Sequence, residues 1–133
     1  MLSDLLFTKN NTIVERGLDA AWLRNNVISQ NIANVDTPGY KRKVVQFEEF
    51  LDSEMKTSRI SQGKTRLSSD GMQIVEDPSN SSYRSDGNNV DIEHEMALLA
   101  ANSIRYNTLI QRLNGDFQKL KTESGGVDNY GTF

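Results

Sequence analysis

Residues 92–120 read IEHEMALLAANSIRYNTLIQRLNGDFQKL, and the spacing of their apolar side chains decides the fold. Apolar residues recur here at alternating steps of four and three, which is the heptad spacing of a helix that packs against another helix. Asp91 before the stretch is a favourable N-cap, and two consecutive glycines after it are typical of a helix end. The pattern predicts one long helix over residues 91–121. Its predicted packing seam, which one serine interrupts, consists of Ile92, Met96, Leu99, Tyr106, Ile110, Leu113, Phe117 and Leu120.

A weaker form of the same pattern lies near the N-terminus. It also steps by four and three, but Asn25 lies on the seam. Gly17 lies inside the predicted helix and costs up to about 1 kcal/mol relative to Ala. Because the residue before Pro38 avoids the α region, the predicted helix covers residues 10–36 and ends before that proline. The apolar positions of this second predicted seam are Val14, Leu18, Ala21, Ile28 and Ile32.

The two predicted helices lie at opposite ends of the chain and carry seams of similar length. A helix with one apolar stripe must bury that stripe, and each helix is the nearest partner for the other. The sequence therefore predicts a mainly α fold in which the N- and C-terminal helices pair as a coiled coil, antiparallel or slanted. Each stripe has only one partner in such a pair, so we expect neighbouring subunits to supply further stability.

The middle of the chain, residues 37–90, is rich in Ser, Asp, Asn and Gly. Residues 47–55 could form one short helix, and short β segments are predicted around residues 72–75 and 83–84. Because the remainder has no periodic pattern, we expect a largely irregular region that is mobile in the isolated protein. A flexible tail is expected over residues 122–133, within a single domain of 133 residues.

The composition argues against several classes of protein. The net charge is −3 and the pI about 5.1, with one basic cluster at Lys41, Arg42 and Lys43, whereas nucleic-acid binders concentrate far more positive charge. The chain has no cysteine, and no apolar run approaches the roughly 18 residues that cross a bilayer. The N-terminal residues carry neither a basic segment nor a cleavable apolar stretch, so export is predicted to proceed without a Sec-type signal peptide.

No pattern indicates a catalytic, metal or cofactor site. The only histidine, His94, lies between two glutamates, and the chain has neither a second histidine nor a cysteine to complete a zinc site. A calcium loop starting at Asp86 would place Val90 and Asp91 where an oxygen ligand and Gly are required. The better interpretation of this segment is a turn that leads into a helix N-cap. Phosphate-binding loops and nucleophile motifs are absent.

Residues 29–40 read SQNIANVDTPGY and predict a helix that ends in a tight turn. Asn31 and Asn34 lie three residues apart, so they share one helix face and suit hydrogen bonds to a neighbouring backbone. Pro38 and Gly39 suit the two central positions of a type II turn. The residues alone leave open whether this turn is more than a connection between two elements.

The same stretch resembles the N-I-A-N-x-x-T-P-G-Y signature that flagellar rod and hook proteins carry at the end of their first helix. A second stretch, D-G-N-N-V-D-I-E at residues 86–93, resembles the segment before the last helix of proximal rod subunits. On this resemblance the chain is identified as a member of the flagellar axial family, with two assembly motifs. The first motif comprises Asn31, Ile32, Asn34, Asp36, Thr37, Pro38, Gly39 and Tyr40, and the second comprises Asp86, Gly87, Asn88, Asn89 and Asp91.

The resemblance implies a structural protein that is not an enzyme and uses no cofactor. Its expected function is to self-assemble through its terminal helices into the proximal rod, the drive shaft that transmits torque in the extracytoplasmic part of the basal body. The expected partners are copies of itself, other rod subunits, proteins near the MS ring and export gate, and the flagellar type III export apparatus. Neither nucleic acid nor a small-molecule substrate is expected. The alternatives are a sister rod subunit and a soluble helical export adaptor or chaperone.

Overall fold

The computed structural model describes residues 2–47, 72–78 and 84–127. Two long helices and a two-stranded sheet make up the regular structure, namely α1 (Leu2–Ala33), β1 (Lys43–Gln46), β2 (Gln73–Glu76) and α2 (Ile92–Val127). The predicted mainly α fold, built on long N- and C-terminal helices, is confirmed.

Helix α1 differs from its prediction at both ends. It begins at Leu2 rather than near residue 10, because no glycine or proline interrupts the residues that precede the predicted start. It ends at Ala33, and the next residues form turns in which the backbone N–H of Asn34 donates to the carbonyl of Gln30 at 3.1 Å. The last residues of the predicted helix therefore belong to the turn that follows.

Helix α2 begins as predicted and ends later than predicted. The Asp91 Oδ1 atom accepts hydrogen bonds from the backbone N–H groups of Glu93 at 3.0 Å and His94 at 3.3 Å, so Asp91 is the N-cap. The helix continues past its predicted end to Val127. The Thr122 hydroxyl donates to the carbonyl of the preceding helical turn at 2.9 Å, which satisfies a polar group inside this extension.

The two helices run antiparallel and contact each other. The Asn102 Nδ2 atom donates to the carbonyl of Ala21 at 2.7 Å, and one turn earlier in α1 Gly17 lies opposite Leu109 of α2. Residue numbers therefore fall along α1 as they rise along α2. A Cβ atom at Gly17 would lie 3.2 Å from Leu109 Cδ1. The glycine that weakens α1 in isolation thus permits the close approach of the two helices.

The predicted seam on α2 is only partly buried. Four of its side chains are exposed: Ile92 by 44%, Met96 by 58%, Tyr106 by 38% and Phe117 by 51%. The remaining seam residues are half-buried, namely Leu99, Ile110, Leu113 and Leu120.

The face of α2 that meets α1 instead carries a polar column with seven-residue spacing. Glu95 is 0% exposed, Asn102 is 4% exposed and Asp116 is 7% exposed, and Leu109 completes the spacing. The small residues of α1 on the facing side leave room for these polar groups to reach hydrogen-bonding partners, as Asn102 does at Ala21. The packing therefore follows polar contacts where the periodicity predicted apolar ones.

On α1 the predicted seam is partly correct. Ala21 and Ile28 are buried, whereas the other predicted positions, Val14, Leu18 and Ile32, are half-buried. Among the described residues, the buried apolar side chains are Ala20, Ala21, Val27, Ile28, Phe47 and Val90. Two of these six side chains are alanines, which contribute little apolar area.

Strands β1 and β2 form an antiparallel pair that packs on α1. Lys43 pairs with Glu76 at one end of the register, and Gln46 pairs with Gln73 at the other. Strand β2 agrees with the β segment predicted around residues 72–75. The segment predicted at residues 83–84 does not appear at Arg84, which lies in a bend.

Other predictions for the middle region concern residues outside the described ranges. The short helix predicted over residues 47–55 falls there apart from Phe47, which follows β1 and is buried. The predicted mobility of the middle and the end of the predicted tail also fall there. Within the described ranges, no helix is long and apolar enough to cross a membrane, and no cluster of acidic and histidine side chains could hold a metal ion.

Candidate assembly site

A polar junction lies where the end of α1, the start of β1 and the first turn of α2 meet. Its central side chain, Asn31, is 0% exposed. The Asn31 Nδ2 atom donates to the carbonyl of Lys43 at 2.8 Å and to Glu95 Oε2 at 3.2 Å. The Asn31 Oδ1 atom accepts from the backbone N–H of Lys43 at 2.9 Å and from the Tyr40 hydroxyl at 3.1 Å. All four hydrogen-bonding positions of the amide are used, so Asn31 fixes the direction in which β1 begins.

Arg42 forms the ionic part of the junction. Its Nε atom donates to Glu95 Oε1 at 2.6 Å, and its Nη1 atom bonds to Asp77, which follows β2. Its backbone N–H donates to the Asn89 Oδ1 atom at 2.6 Å. Arg42 therefore joins the hairpin to α2 and to the loop before it. Because Glu95 is fully buried, the pair is held in a low-dielectric environment, where loss of one partner leaves an uncompensated charge.

The burial and charges of the junction shift the pKa values of Arg42 and Tyr40, which both precede β1. Burial alone would lower the pKa of the Arg42 guanidinium, but its hydrogen bonds to Glu95 and Asp77, together with their charges, raise that pKa above its ordinary value. Burial, and then the negative charge of Glu95, raise the pKa of the Tyr40 hydroxyl. The Tyr40 hydroxyl therefore stays protonated and donates a hydrogen bond to Asn31 Oδ1.

Asn88 closes the other side of the junction. Its side chain is 0% exposed, and its Nδ2 atom donates to the carbonyls of Asn34 at 3.0 Å, Val35 at 2.9 Å and Thr37 at 2.9 Å. These carbonyls follow the last turn of α1, where helical partners run out. The Asn88 Oδ1 atom accepts from the backbone N–H of Val90 at 2.8 Å. Asn88 thus supplies hydrogen-bond donors to the carbonyls after α1 and also fixes the loop that leads into α2.

The predicted turn at Pro38 and Gly39 is present and touches the loop before α2. The carbonyl of Thr37 accepts from the N–H of Tyr40 at 3.2 Å, and Gly39 has a φ of +72°, as a type II turn requires. The N–H of Gly39 donates to the carbonyl of Asp86 at 2.9 Å. Gly87 also has a positive φ, of +81°, so both loops depend on glycine where they meet.

The structure brings most residues of the two predicted motifs into one junction. Three members lie at its edge: Ile32 is half-buried, and Asp36 and Pro38 are exposed. The Asp36 carboxylate is 3.9 Å from Arg84, and its side chain is almost fully exposed. Asp91 acts separately, as the cap of α2.

Sequence reasoning missed the ionic centre of the junction. The sequence places Arg42 in a basic cluster, and Glu95 stands out only as one of the two glutamates beside His94. The only available signal was the seven-residue spacing from Glu95 to Asn102, two polar positions that a heptad pattern assigns to one helix face. The contact of Glu95 with Asn31 spans 64 positions and could not be read from local sequence.

The second candidate site is an uncharged and largely exposed face of α2, which lies beside the contact with α1. Its members are exposed or half-buried and recur at the spacing of one helix face. Between residues 96 and 118 the helix carries three charged residues, Arg105, Arg112 and Asp116, and none belongs to this face. We call this set the α2 open face: Met96, Leu99, Ala100, Ser103, Tyr106, Asn107, Ile110, Asn114 and Phe117.

Helix α1 contributes a large apolar side chain beside the α2 open face. Trp22 is 61% exposed and lines a cavity of about 370 Å³ together with Ser103 and Tyr106. Depletion of charge together with exposed aromatic residues is the composition of the centre of a protein–protein interface. The molecule thus has a saturated polar junction at one end and a largely exposed, uncharged face along α2.

Residues 14–41 match a family model described as "Flagella basal body rod protein". The flagellar basal body rod protein FlgB of Bacillus subtilis (strain 168) is 40% identical over 123 residues, which cover 88% of this chain and 94% of that protein. The chain belongs to the FlgB family of flagellar basal body rod proteins.

More distant FlgB proteins agree with this membership. FlgB of Borrelia hermsii is 35% identical over 114 residues, covering 76% of this chain and 84% of that protein. FlgB of Escherichia coli (strain K12) is 29% identical over 118 residues, covering 80% and 86%. The identification of the flagellar axial family from its two motifs is confirmed, and the chain is a component of the flagellar basal body rod. The family model includes the whole first motif and ends one residue after Tyr40.

Proposed function

We propose that this FlgB-family chain is a structural, non-enzymatic subunit of the proximal rod that self-assembles through its terminal helices. The α2 open face is the observation that carries this proposal. A heptad-spaced stripe that stays largely exposed beside α1 suits a second helix, since helices pack by interleaving side chains at this spacing. Exposed residues as large as Met96 and Phe117 cost free energy in water and release it when a neighbouring subunit covers them.

The polar junction has a different role in this proposal. It fixes the hairpin and both loops relative to the two helices, so that a load on one element is transferred to the others. Asn31, Arg42 and Asn88 each bond to more than one element through buried or part-buried groups. A subunit that transmits torque needs such a rigid connection between its helices and the region between them.

Assembly adds apolar burial to that within the chain. Among the described residues two of the six buried apolar side chains are alanines, whereas the larger Met96 and Phe117 are exposed and available to neighbouring subunits. The proposed partners are copies of this chain, other rod subunits and proteins near the MS ring and export gate. The flagellar type III export apparatus is the proposed route to the extracytoplasmic rod.

The test is electron microscopy of basal bodies and a swimming assay in a strain that lacks this gene. We expect rods to be missing and motility to be lost, with the MS ring still present. Complementation with wild type should restore both, whereas a Met96→Ser, Phe117→Ser double variant should accumulate without forming rods. Ile74→Ser is the matched control, because Ile74 is 49% exposed but lies on β2 away from the open face. Complete rods in swimming cells that lack the gene would refute the proposal.

A further inference from the structure

The predicted seam of α2 is spaced evenly on both sides of its middle residue, Tyr106. Ile92 and Leu120 each lie fourteen residues from Tyr106, at opposite ends of the seam. Leu99 and Leu113 each lie seven residues from it. A second α2 turned end to end therefore brings its own apolar positions opposite these ones, as antiparallel helices with heptad spacing do. The seam matches a reversed copy of itself as well as it matches a parallel copy.

The centre of this face carries exposed aromatic side chains. Tyr106 is 38% exposed, and Trp22 of α1, which is 61% exposed, lines the cavity of about 370 Å³ beside it. Trp and Tyr side chains near the middle of an interface supply much of the binding energy of protein complexes. In a reversed pair of chains the two centres coincide, so the aromatic side chains of both copies come together.

The two ends of α2 carry opposite net charge. Asp91 and Glu93 are exposed at its start, and Lys119 and Lys121 are exposed near its end. A second copy that is reversed about the middle residue places its Lys119 opposite Glu93. Its Lys121 falls opposite Asp91. A parallel pair would place like charges together, and the helix dipoles also favour the reversed pair, so charge selects one of the two orientations that the seam permits.

We propose that a second copy of this chain covers the α2 open face in the free protein, with the two α2 helices antiparallel and Tyr106 at the twofold axis. The contact runs over residues 92–120, which are about four heptads and about 42 Å of helix. Both copies use the same face, so the pair is closed and that face adds no third copy. The consequence rests on the proposed assembly role of the face: the dimer withholds it from the rod until the two copies separate.

Cysteine crosslinking tests the centre of the contact, because the chain has no cysteine of its own. Sedimentation velocity first finds the concentration at which the wild-type chain is a dimer. Under mild oxidation at that concentration, Tyr106→Cys should form a disulfide-linked dimer. Thr108→Cys is the control and should stay mostly reduced, because Thr108 is exposed but lines a separate cavity together with Phe47.

A second crosslinking experiment tests the orientation. In the reversed pair the two Met96 positions lie about 30 Å apart along the helices, whereas Met96 of one copy lies opposite Phe117 of the other. Met96→Cys alone and Phe117→Cys alone should therefore stay reduced, and an equimolar mixture of the two variants should crosslink. A parallel pair would give the opposite result, since each variant would crosslink to itself.

Charge reversal tests the ion pairs at the ends. Glu93→Lys should raise the Kd of the dimer roughly tenfold at low salt, and less at high salt, because two attractive pairs become repulsive. Lys119→Glu alone should weaken the dimer to a similar extent, and the two substitutions together should restore much of the affinity. Glu76→Lys makes the same change in charge on β2 and should leave the Kd unchanged.

Several outcomes would overturn the proposed dimer. A wild-type chain that stays monomeric at every concentration would do so, as would a Met96→Cys variant that crosslinks to itself or a ladder of oligomers beyond the dimer. Rod assembly by cells that carry Glu93→Lys separates the dimer from the function proposed above. We expect these cells to build rods although the purified variant dimerises weakly. Rods lost together with the dimer would contradict the withholding of the face, whereas rods built without the gene would refute only the proposed function.

Discussion

The polar junction and the α2 open face use the same helix in opposite ways. At the junction, the fully buried Glu95 meets Arg42 and Asn31, and every described donor and acceptor of Asn31 has a partner. On the open face, Met96 is the very next residue, yet it is 58% exposed. Two adjacent residues of α2 thus differ in their surroundings: Glu95 bonds within the chain, and Met96 faces outward.

This difference indicates how the subunit divides two tasks. Polar contacts are directional, so they specify a single arrangement of helices, hairpin and loops, at little net gain in stability. Apolar contacts are non-directional and scale with the area covered, so they suit association with neighbours. A chain that placed its apolar stripe in the intramolecular contact would fold more stably alone but would have less to gain from assembly.

The largest expected effect comes from removing Glu95. Glu95→Ala leaves Arg42 partly buried with one charge partner lost, which costs about 3–5 kcal/mol and lowers the Tm by about 10–20 °C. Circular dichroism melts measure this shift. Glu93→Ala is the control, because Glu93 is exposed in the same helical turn and its loss should change little. A melt for Glu95→Ala within 2 °C or so of wild type would mean that the junction does not hold the helices together.

A smaller loss is expected at the loop before α2. Asn88→Ala removes the donor shared by three carbonyls after α1 and the acceptor for Val90, which costs about 2 kcal/mol in denaturant unfolding. Asn107→Ala, an exposed asparagine on α2, should stay within about 0.5 kcal/mol of wild type. Equal losses in the two variants would remove the distinction between the saturated junction and the open helix surface.

The turn at Gly39 offers a matched pair of glycine substitutions. An added Cβ meets nothing within 4 Å at either Gly39 or Gly115, so space does not decide the outcome. Gly39→Ala should cost about 1–2 kcal/mol because its φ of +72° is strained for an L side chain. Gly115→Ala should stabilise the interior of α2 by up to about 1 kcal/mol. Unfolding free energies that shift in the same direction would show that backbone strain at the turn is not important.

Much of the fold follows from the sequence, but the choice of the α2 face that contacts α1 does not. The four-and-three spacing predicts both helices, and Pro38 with Gly39 predicts the turn, because these signals are local. Periodicity cannot tell which of two neighbouring faces meets α1, however. Here the polar column of Glu95, Asn102 and Asp116 does so.

The features that determine which face of α2 contacts α1 lie in α1 and in contacts between residues distant in the sequence. Gly17 and the two alanines at positions 20 and 21 mark a surface where another backbone comes close. The ion pair of Arg42 with Glu95 joins residues 53 positions apart, so no local pattern predicts it. It also depends on the pairing of β1 with β2, which brings together segments distant in the sequence. Both motifs of the family were recognised from sequence, but the way in which they bond to each other was not.

Phe117→Ser is expected to have the smallest effect on folding and a large effect on assembly. Phe117 is 51% exposed on the open face, so Phe117→Ser should change the unfolding free energy of dilute monomer by no more than about 0.5 kcal/mol. Sedimentation velocity at rising concentration should nevertheless show weaker self-association than wild type. Glu95→Ala, studied below its melting temperature, should show the reverse: a less stable monomer that still carries the open face. If Phe117→Ser destabilised the monomer as much as Glu95→Ala does, the open face would belong to the intramolecular core, and the division between the two regions would be wrong.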